Sequence, residues 1–243
     1  MKKNISAIVF ALAIVVASVI LGNAVMNRNK KVGTISVTGL GQTNFTSDLI
    51  VWEARFSQIN TDLKQAYSDL KKDKVTISEY FKSKGLNENV IVFNAVVTEK
   101  NFKQNYTSEG KYLGQEFTGY TLTQTVQINS NEVEKVEKIS REVTELLNKG
   151  IQLYSIPPRY YYTKLEDLKI EMVAQATDNA HVRAKSIAEN SGTKLSDLSV
   201  AQMGIFQITG QNSNEDYSWG GAYNTTSKEK TASITMKLTY EVK

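Results

Sequence analysis

The chain has 243 residues, 41% of them hydrophobic and 22% charged, which is enough to build a sizeable core without covalent staples. It contains no cysteine and one histidine, which excludes disulfides, thiolate metal sites and cysteine nucleophiles and leaves too few soft ligands for a zinc centre. The net charge of +4 belongs to one end: Lys2, Lys3, Arg28, Lys30 and Lys31 precede the first acid, Asp48, and the remainder carries 24 basic against 25 acidic residues, so it has no basic footprint for nucleic acid.

Ile5 to Met26 contains no charged residue. A helix needs about 20 apolar residues to cross a bilayer, and this run reaches that length. The sequence predicts a membrane anchor over residues 1–31, its flanking cations suited to anionic headgroups. A secretory signal cleaved near Gly22-Asn23-Ala24, giving a soluble periplasmic protein, is the alternative. The flanking charges are nearly balanced, so the usual export of such chains places the remainder, residues 32–243, outside the cytoplasm.

Strands and helices then alternate. Thr34–Phe45 and Asp48–Ile59 read as two strands; in the second, Leu49, Val51, Ala54 and Phe56 are apolar amid Glu53 and Arg55, which suggests one wet face. Asp62 to Lys84 carries apolar residues at helical spacing and ends at Gly85. Asn89–Phe102 and Gln115–Asn129 read as strands separated by a polar loop, Lys103–Gly114. In the next helix Asn131 and Glu134 suggest a capping box, Val133, Val136, Ile139, Val143, Leu146 and Leu147 form an apolar stripe, and Gly150 closes it. Ile151–Tyr162 is an aromatic strand interrupted by Pro157-Pro158, hence an edge strand or a bend.

Thr163 and Glu166 cap a third helix that runs to about Asn190, before Gly192. Within it Ala176, Ala180, Ala184 and Ala188 recur every fourth residue, a strip suited to tight packing on a sheet. Leu198–Thr209 and Thr231–Val242 are the last strands, joined by a polar loop, Gly210–Lys230. The order β-β-α-β-β-α-β-α-β-β after an N-terminal apolar helix indicates an α+β fold with a largely antiparallel sheet and three helices.

Catalytic chemistry is hard to find. His181, the sole imidazole, lies in the third helix without a nucleophile-elbow serine, and reads as a surface or packing residue. Gly39-Leu40-Gly41 starts a glycine pattern, but Asn44 breaks the dinucleotide fingerprint, leaving a bend or bulge in the first strand. Glu166-Asp167 and Glu215-Asp216 are adjacent carboxylates at a cap and in a loop. Tyr154, Tyr160, Tyr161 and Tyr162 suit a strand whose face or edge is covered, with a binding module's contact surface as the alternative. Tyr217, Trp219 and Tyr223, around Gly220-Gly221, are aromatics in a loop and are expected to meet a subunit or partner. No catalytic residue, cofactor or metal ligand is assigned.

Tyr162–Gly204, with its alanine-rich helix, Ser-Gly turn and following strand, resembles the second half of the SIMPL-domain family. Ile35–Leu40 with Asp48 and Val51-Trp52 resembles that family's opening hairpin, and Tyr240-Glu241-Val242 its ending, so the likeness covers about residues 32–243. The resemblance implies an exported bacterial envelope protein of the periplasmic or outer-membrane immunogenic kind, in a family linked to oxidative-stress tolerance and to large hollow oligomers. No catalytic residues are established there, so none carry over. The expectation is a non-enzymatic envelope protein, anchored in the inner membrane, that self-associates through its α+β domain. The alternative is an extracytoplasmic binding module for a small molecule, glycan or envelope protein.

Overall fold

A computed structural model describes Lys2–Arg28 and residues 33–243. The expected boundary between residues 31 and 32, and Lys30 and Lys31 with it, lie outside the described residues. Helix α1 spans Lys2–Arg28, and its Val9–Met26 section is apolar and exposed along its whole length. An uncovered apolar helix of this length fits a signal or a membrane anchor.

The rest is α+β with antiparallel sheets, as the order of elements predicts. The chain as a whole divides into two compact units, Met1–Gly41 with Val173–Gly204 and Thr235–Lys243, and Gln42–Met172 with Ile205–Ile234. Strands β1 (Thr34–Thr46) and β10 (Glu229–Val242) and helix α4 (Leu165–Asn190) each contribute residues to both.

In the first unit, β10 pairs antiparallel with β8 (Leu195–Met203) from Met236↔Met203 to Val242↔Leu195, and its other edge bonds β1. The alanine strip explains the fit of α4. Ala176, Ala180, Ala184 and Ala188 are all buried. A Cβ on Gly39 would lie 2.1 Å from the Ala176 carbonyl oxygen and 2.5 Å from the Ala180 nitrogen, so strand and helix backbones touch there. Asn179 Oδ1 accepts from the Leu40 amide at 3.2 Å, and Arg183 donates to the Thr38 carbonyl at 3.0 Å. The strand runs through Gly39-Leu40-Gly41 without interruption, and the demand on Gly39 comes from close helix approach rather than from the expected bend.

In the second unit, β2 (Leu49–Asn60) pairs with β5 (Tyr112–Ser130) along its length, from Ile50↔Ser130 to Asn60↔Tyr120. The other edge of β2 is covered by two short strands, β6 (Tyr154–Ser155) and β7 (Arg159–Tyr161), on either side of Pro157-Pro158, as an interrupted edge strand requires. Ile50, Trp52, Ala54 and Phe56 alternate inward. They share one core with Leu70, Ile77 and Phe81 of α2 (Leu63–Ser83) and Val133, Val136 and Ile139 of α3 (Val133–Glu142). Trp52 meets Phe81 edge-on at 5.7 Å and donates its indole N–H to Ser155 Oγ at 3.0 Å.

Several boundaries differ from expectation, each for a local reason. The expected strand 89–102 is a 3-10 turn followed by β3 (Ile91–Phe93) and β4 (Val97–Tyr106), interrupted where one extra residue enters opposite β5. The expected loop 103–114 shrinks to the turn 107–111, because β4 and β5 continue as a ribbon to Tyr106↔Tyr112. Asn131 does not cap α3: its amide donates to the Asp48 carbonyl, and the helix starts after Glu132 without a side-chain cap. The end of that helix tightens into a 3-10 turn, Val143–Lys149, before Gly150 at φ 74°. Thr163 gives its backbone N–H and hydroxyl to the two Asp48 carboxylate oxygens, 2.7 and 2.6 Å away. The expected strand 198–209 breaks into β8 and β9 (Gln207–Gly210).

Candidate functional site

Among the described residues, the candidate catalytic groups named from the sequence do not converge. His181 is exposed on α4, its Nδ1 3.2 Å from the Tyr240 hydroxyl and its ring edge-on to that ring, which is a packing role. Glu215 accepts from the Gly210 amide and from the Asn224 side chain, so its carboxylate braces a loop. Among the described residues there is no cluster of three or more metal-ligating side chains.

Lys230 had no signal in the sequence. It is 1% exposed, and its three ammonium protons go to Ser47 Oγ at 3.0 Å, the Tyr160 carbonyl at 3.1 Å and the Ser227 carbonyl. This amine clamps the turn between β1 and β2, strand β7 and the loop before β10, and its burial keeps it from any solute. Loss of water pushes its pKa from the ordinary 10.5 down to about 8, with Glu215 and Glu229 opposing the shift. Between pH 8 and 10.5 the unfolded chain therefore holds a proton that the folded chain has released. Lys230 adds stability as pH rises through that window, by roughly 3 kcal/mol at most, and its contribution is flat below it. Urea unfolding of wild type and Lys230→Met at pH 7.5 and 10 should show a gain in the wild type that the variant lacks. The comparison with the variant removes the opposing contribution of Tyr80, Tyr160 and Tyr223, whose phenols burial pushes up.

Aromatic surface is what the second unit presents. In the loop between β9 and β10, the buried Gln207 holds both arms of a tight turn. Its Nε2 donates to the Ser218 carbonyl at 2.8 Å, and its Oε1 accepts from the Ser218 and Ala222 amides at 3.2 and 2.6 Å. Ile208 bonds the Ala222 carbonyl and the Asn224 amide, flanking Tyr223. At the tip stands Trp219, 96% exposed, with Gly221 at φ 94° completing the turn. Tyr217 and Tyr223 are also exposed, and the Tyr217 hydroxyl accepts from Ser233 at 3.2 Å. The three aromatics foreseen in the sequence thus lie on one braced loop.

The β4–β5 ribbon carries a second set, which sequence reasoning missed. Phe102 faces Phe117 across the strands at 5.8 Å, Phe117 meets Tyr120 at 5.0 Å, and Tyr106 faces Tyr112 at 5.6 Å. Phe102, Tyr106, Tyr112, Leu113 and Phe117 are all exposed. The signal was available as aromatics four residues apart before Ser108-Glu109-Gly110 (Phe102, Tyr106) and five and three apart after it (Tyr112, Phe117, Tyr120), hidden by the polar residues between them. Among the described residues β4 pairs with β5 alone, so its far edge offers free backbone donors and acceptors.

The SIMPL family, described as proteins of unknown function (DUF541), matches residues 35–242. This chain belongs to the SIMPL family. The match runs from the second residue of β1 to the last of β10 and leaves α1 outside. No curated protein matches the chain. Family membership therefore supplies an architecture, and a SIMPL protein's role has to be argued from its surfaces.

Proposed function

We propose that this SIMPL protein is a non-enzymatic module of the cell envelope, tethered by α1 with residues 32–243 outside the cytoplasm, which assembles with copies of itself through the β4–β5 ribbon. The ribbon carries the proposal. A two-stranded ribbon is marginal in water unless something covers it, and this one bears five large exposed apolar side chains beside an unpaired edge. A second copy brings the same edge and the same aromatics, so antiparallel edge-to-edge pairing satisfies both backbones and buries both stripes. Sedimentation of the full chain in a mild non-ionic detergent should give a mass of two protomers or more. A monomer at high protein concentration would refute the assembly.

The Trp219 loop supports a second role as contact for a small molecule, glycan or envelope protein, and the observation in its favour is the bracing. A tryptophan kept almost wholly in water on a turn held by four side-chain hydrogen bonds is arranged for display rather than for folding. Trp219→Ala should abolish capture of such a partner from solubilised envelopes and leave thermal stability within about 0.5 kcal/mol of wild type, as surface substitutions do. A matching loss of stability would assign Trp219 to folding instead.

A further inference from the structure

A cleft of about 400 Å3 opens in the second unit along one flank of α2, lined by Tyr67, Leu70, Lys71, Lys74, Ser78 and Lys82 together with Val75, Glu79, Val96 and Gln124. Its origin is local. Between Phe93↔Val126 and Val97↔Thr123 the strand advances four residues while β5 advances three, so residues 94–96 bulge from the ladder. The Asn94 amide stays on the Thr125 carbonyl at 2.9 Å, and Gln124 Nε2 donates to the Asn94 carbonyl at 2.7 Å. Gln124 is buried in the inward row otherwise filled by Leu122, Val126 and Ile128, and it places a fixed amide in the lining together with the apolar Leu70 and Val96.

The rim is basic. Tyr67, Lys71, Lys74, Ser78 and Lys82 follow at intervals of four, three, four and four residues, a single stripe on the helix beside its buried face. Lys82 pairs with Glu88, outside the lining. Lys74 lies 4.9 Å over the Phe93 ring, and among the described residues neither Lys74 nor Lys71 has a carboxylate within ion-pair distance. Glu79 is the only acid in the lining. Cationic rim, apolar wall and small volume together select one kind of occupant.

We propose that this cleft binds a small amphipathic anion, with a carboxylate, sulfonate or phosphate head between Lys71 and Lys74 and a short hydrocarbon or aromatic body against Leu70, Val75 and Val96. The volume is at the small end for ligand sites, which favours a compact molecule over a polymer. Head and body contribute separately: the lysines give charge attraction at the edge of water, and the wall gives area removed from it. The same chemistry occurs in fatty acids shed from a membrane and in soluble aromatic acids, and the choice between them is experimental.

Calorimetric titration of the full chain in zwitterionic nanodiscs, with empty discs as the blank, tests the site using 1-naphthylacetate, its uncharged amide and octanoate. Either acid should bind above the blank, and 1-naphthylacetamide about tenfold or more weakly than its acid. Tighter octanoate binding would assign a lipid-derived occupant, and tighter naphthylacetate binding a soluble one. Lys71→Ala with Lys74→Ala should weaken the acid about tenfold, and Ser78→Phe, which fills the cleft, should abolish the heat. Equal affinity for acid and amide, undiminished binding in either variant, or heats no larger than those of empty discs would overturn the proposal. The titration is independent of assembly through the ribbon, so each can fail alone.

Discussion

Gly39→Ala is expected to destabilise the first unit by about 3 kcal/mol or more, a cost usually associated with far larger changes in a packed core. The added Cβ would sit 2.1 Å from the Ala176 carbonyl oxygen, 2.5 Å from the Ala180 nitrogen and 2.8 Å from the Ala180 Cβ. Two of those atoms are helix backbone and cannot rotate aside. Relief requires α4 to withdraw from β1, which opens space beneath the fully buried Ala176, Ala180 and Ala184. It also pulls Asn179 off the Leu40 amide and Arg183 off the Thr38 carbonyl. Because the first carbon does the damage, Gly39→Val should be only modestly worse than Gly39→Ala. Thermal unfolding of the three proteins checks this, with amide hydrogen exchange reporting Val173–Asn190 separately. An alanine variant as stable as wild type would mean that the strip tolerates separation.

Much of this fold was legible because its long elements obey simple periods. The helical spacing of α2 and the four-residue alanine repeat announce which side is buried, and the structure buries Ala66, Leu70, Ile77, Tyr80 and Phe81 and all four alanines, leaving Leu63 and Tyr67 exposed. In β2 the buried row is Ile50, Trp52, Ala54 and Phe56, so Leu49 and Val51, expected with Ala54 and Phe56, lie on the other face. Gly85, Gly150 and Gly192 end their helices in the left-handed conformation that favours glycine. What stayed hidden depends on partners distant in sequence. Asn131 and Thr163 both carry capping chemistry, but each finds Asp48, 83 and 115 residues away, and is drawn from its local role. Lys230 looks like any strand lysine until Ser47, Tyr160 and Ser227 close around it. Polar composition masks the pairing of residues 103–106 and 112–114, and the bulge at 94–96 has no composition of its own. For the aromatic loop the residues could be named from sequence, whereas the clamp by Gln207 that holds them in place could not.

The second large effect concerns assembly. Phe102→Ser with Phe117→Ser should raise the dissociation constant between copies about a hundredfold or more. Two aromatic anchors at the centre of an interface commonly contribute about 2 kcal/mol each, and each 1.4 kcal/mol is tenfold. The folded protomer should tolerate the change, since a cross-strand aromatic pair in water stabilises a sheet by only about 0.2–1 kcal/mol. The double variant should therefore sediment as a protomer with a melting temperature close to wild type. Loss of assembly together with gross unfolding would make the ribbon a part of the core. An unchanged oligomer would place the interface elsewhere.

Absence of cysteine makes the decisive measurement simple, because any disulfide must come from an introduced residue. Single cysteines at Glu99, Lys103 and Tyr106 on β4, and at the exposed Lys185 of α4 as a reference, would be oxidised with copper phenanthroline in intact membranes. Edge-to-edge assembly predicts a covalent dimer from at least one β4 position, its yield lost when Phe102→Ser and Phe117→Ser are added. Cross-linking along β4 no greater than at Lys185 would contradict assembly through the ribbon.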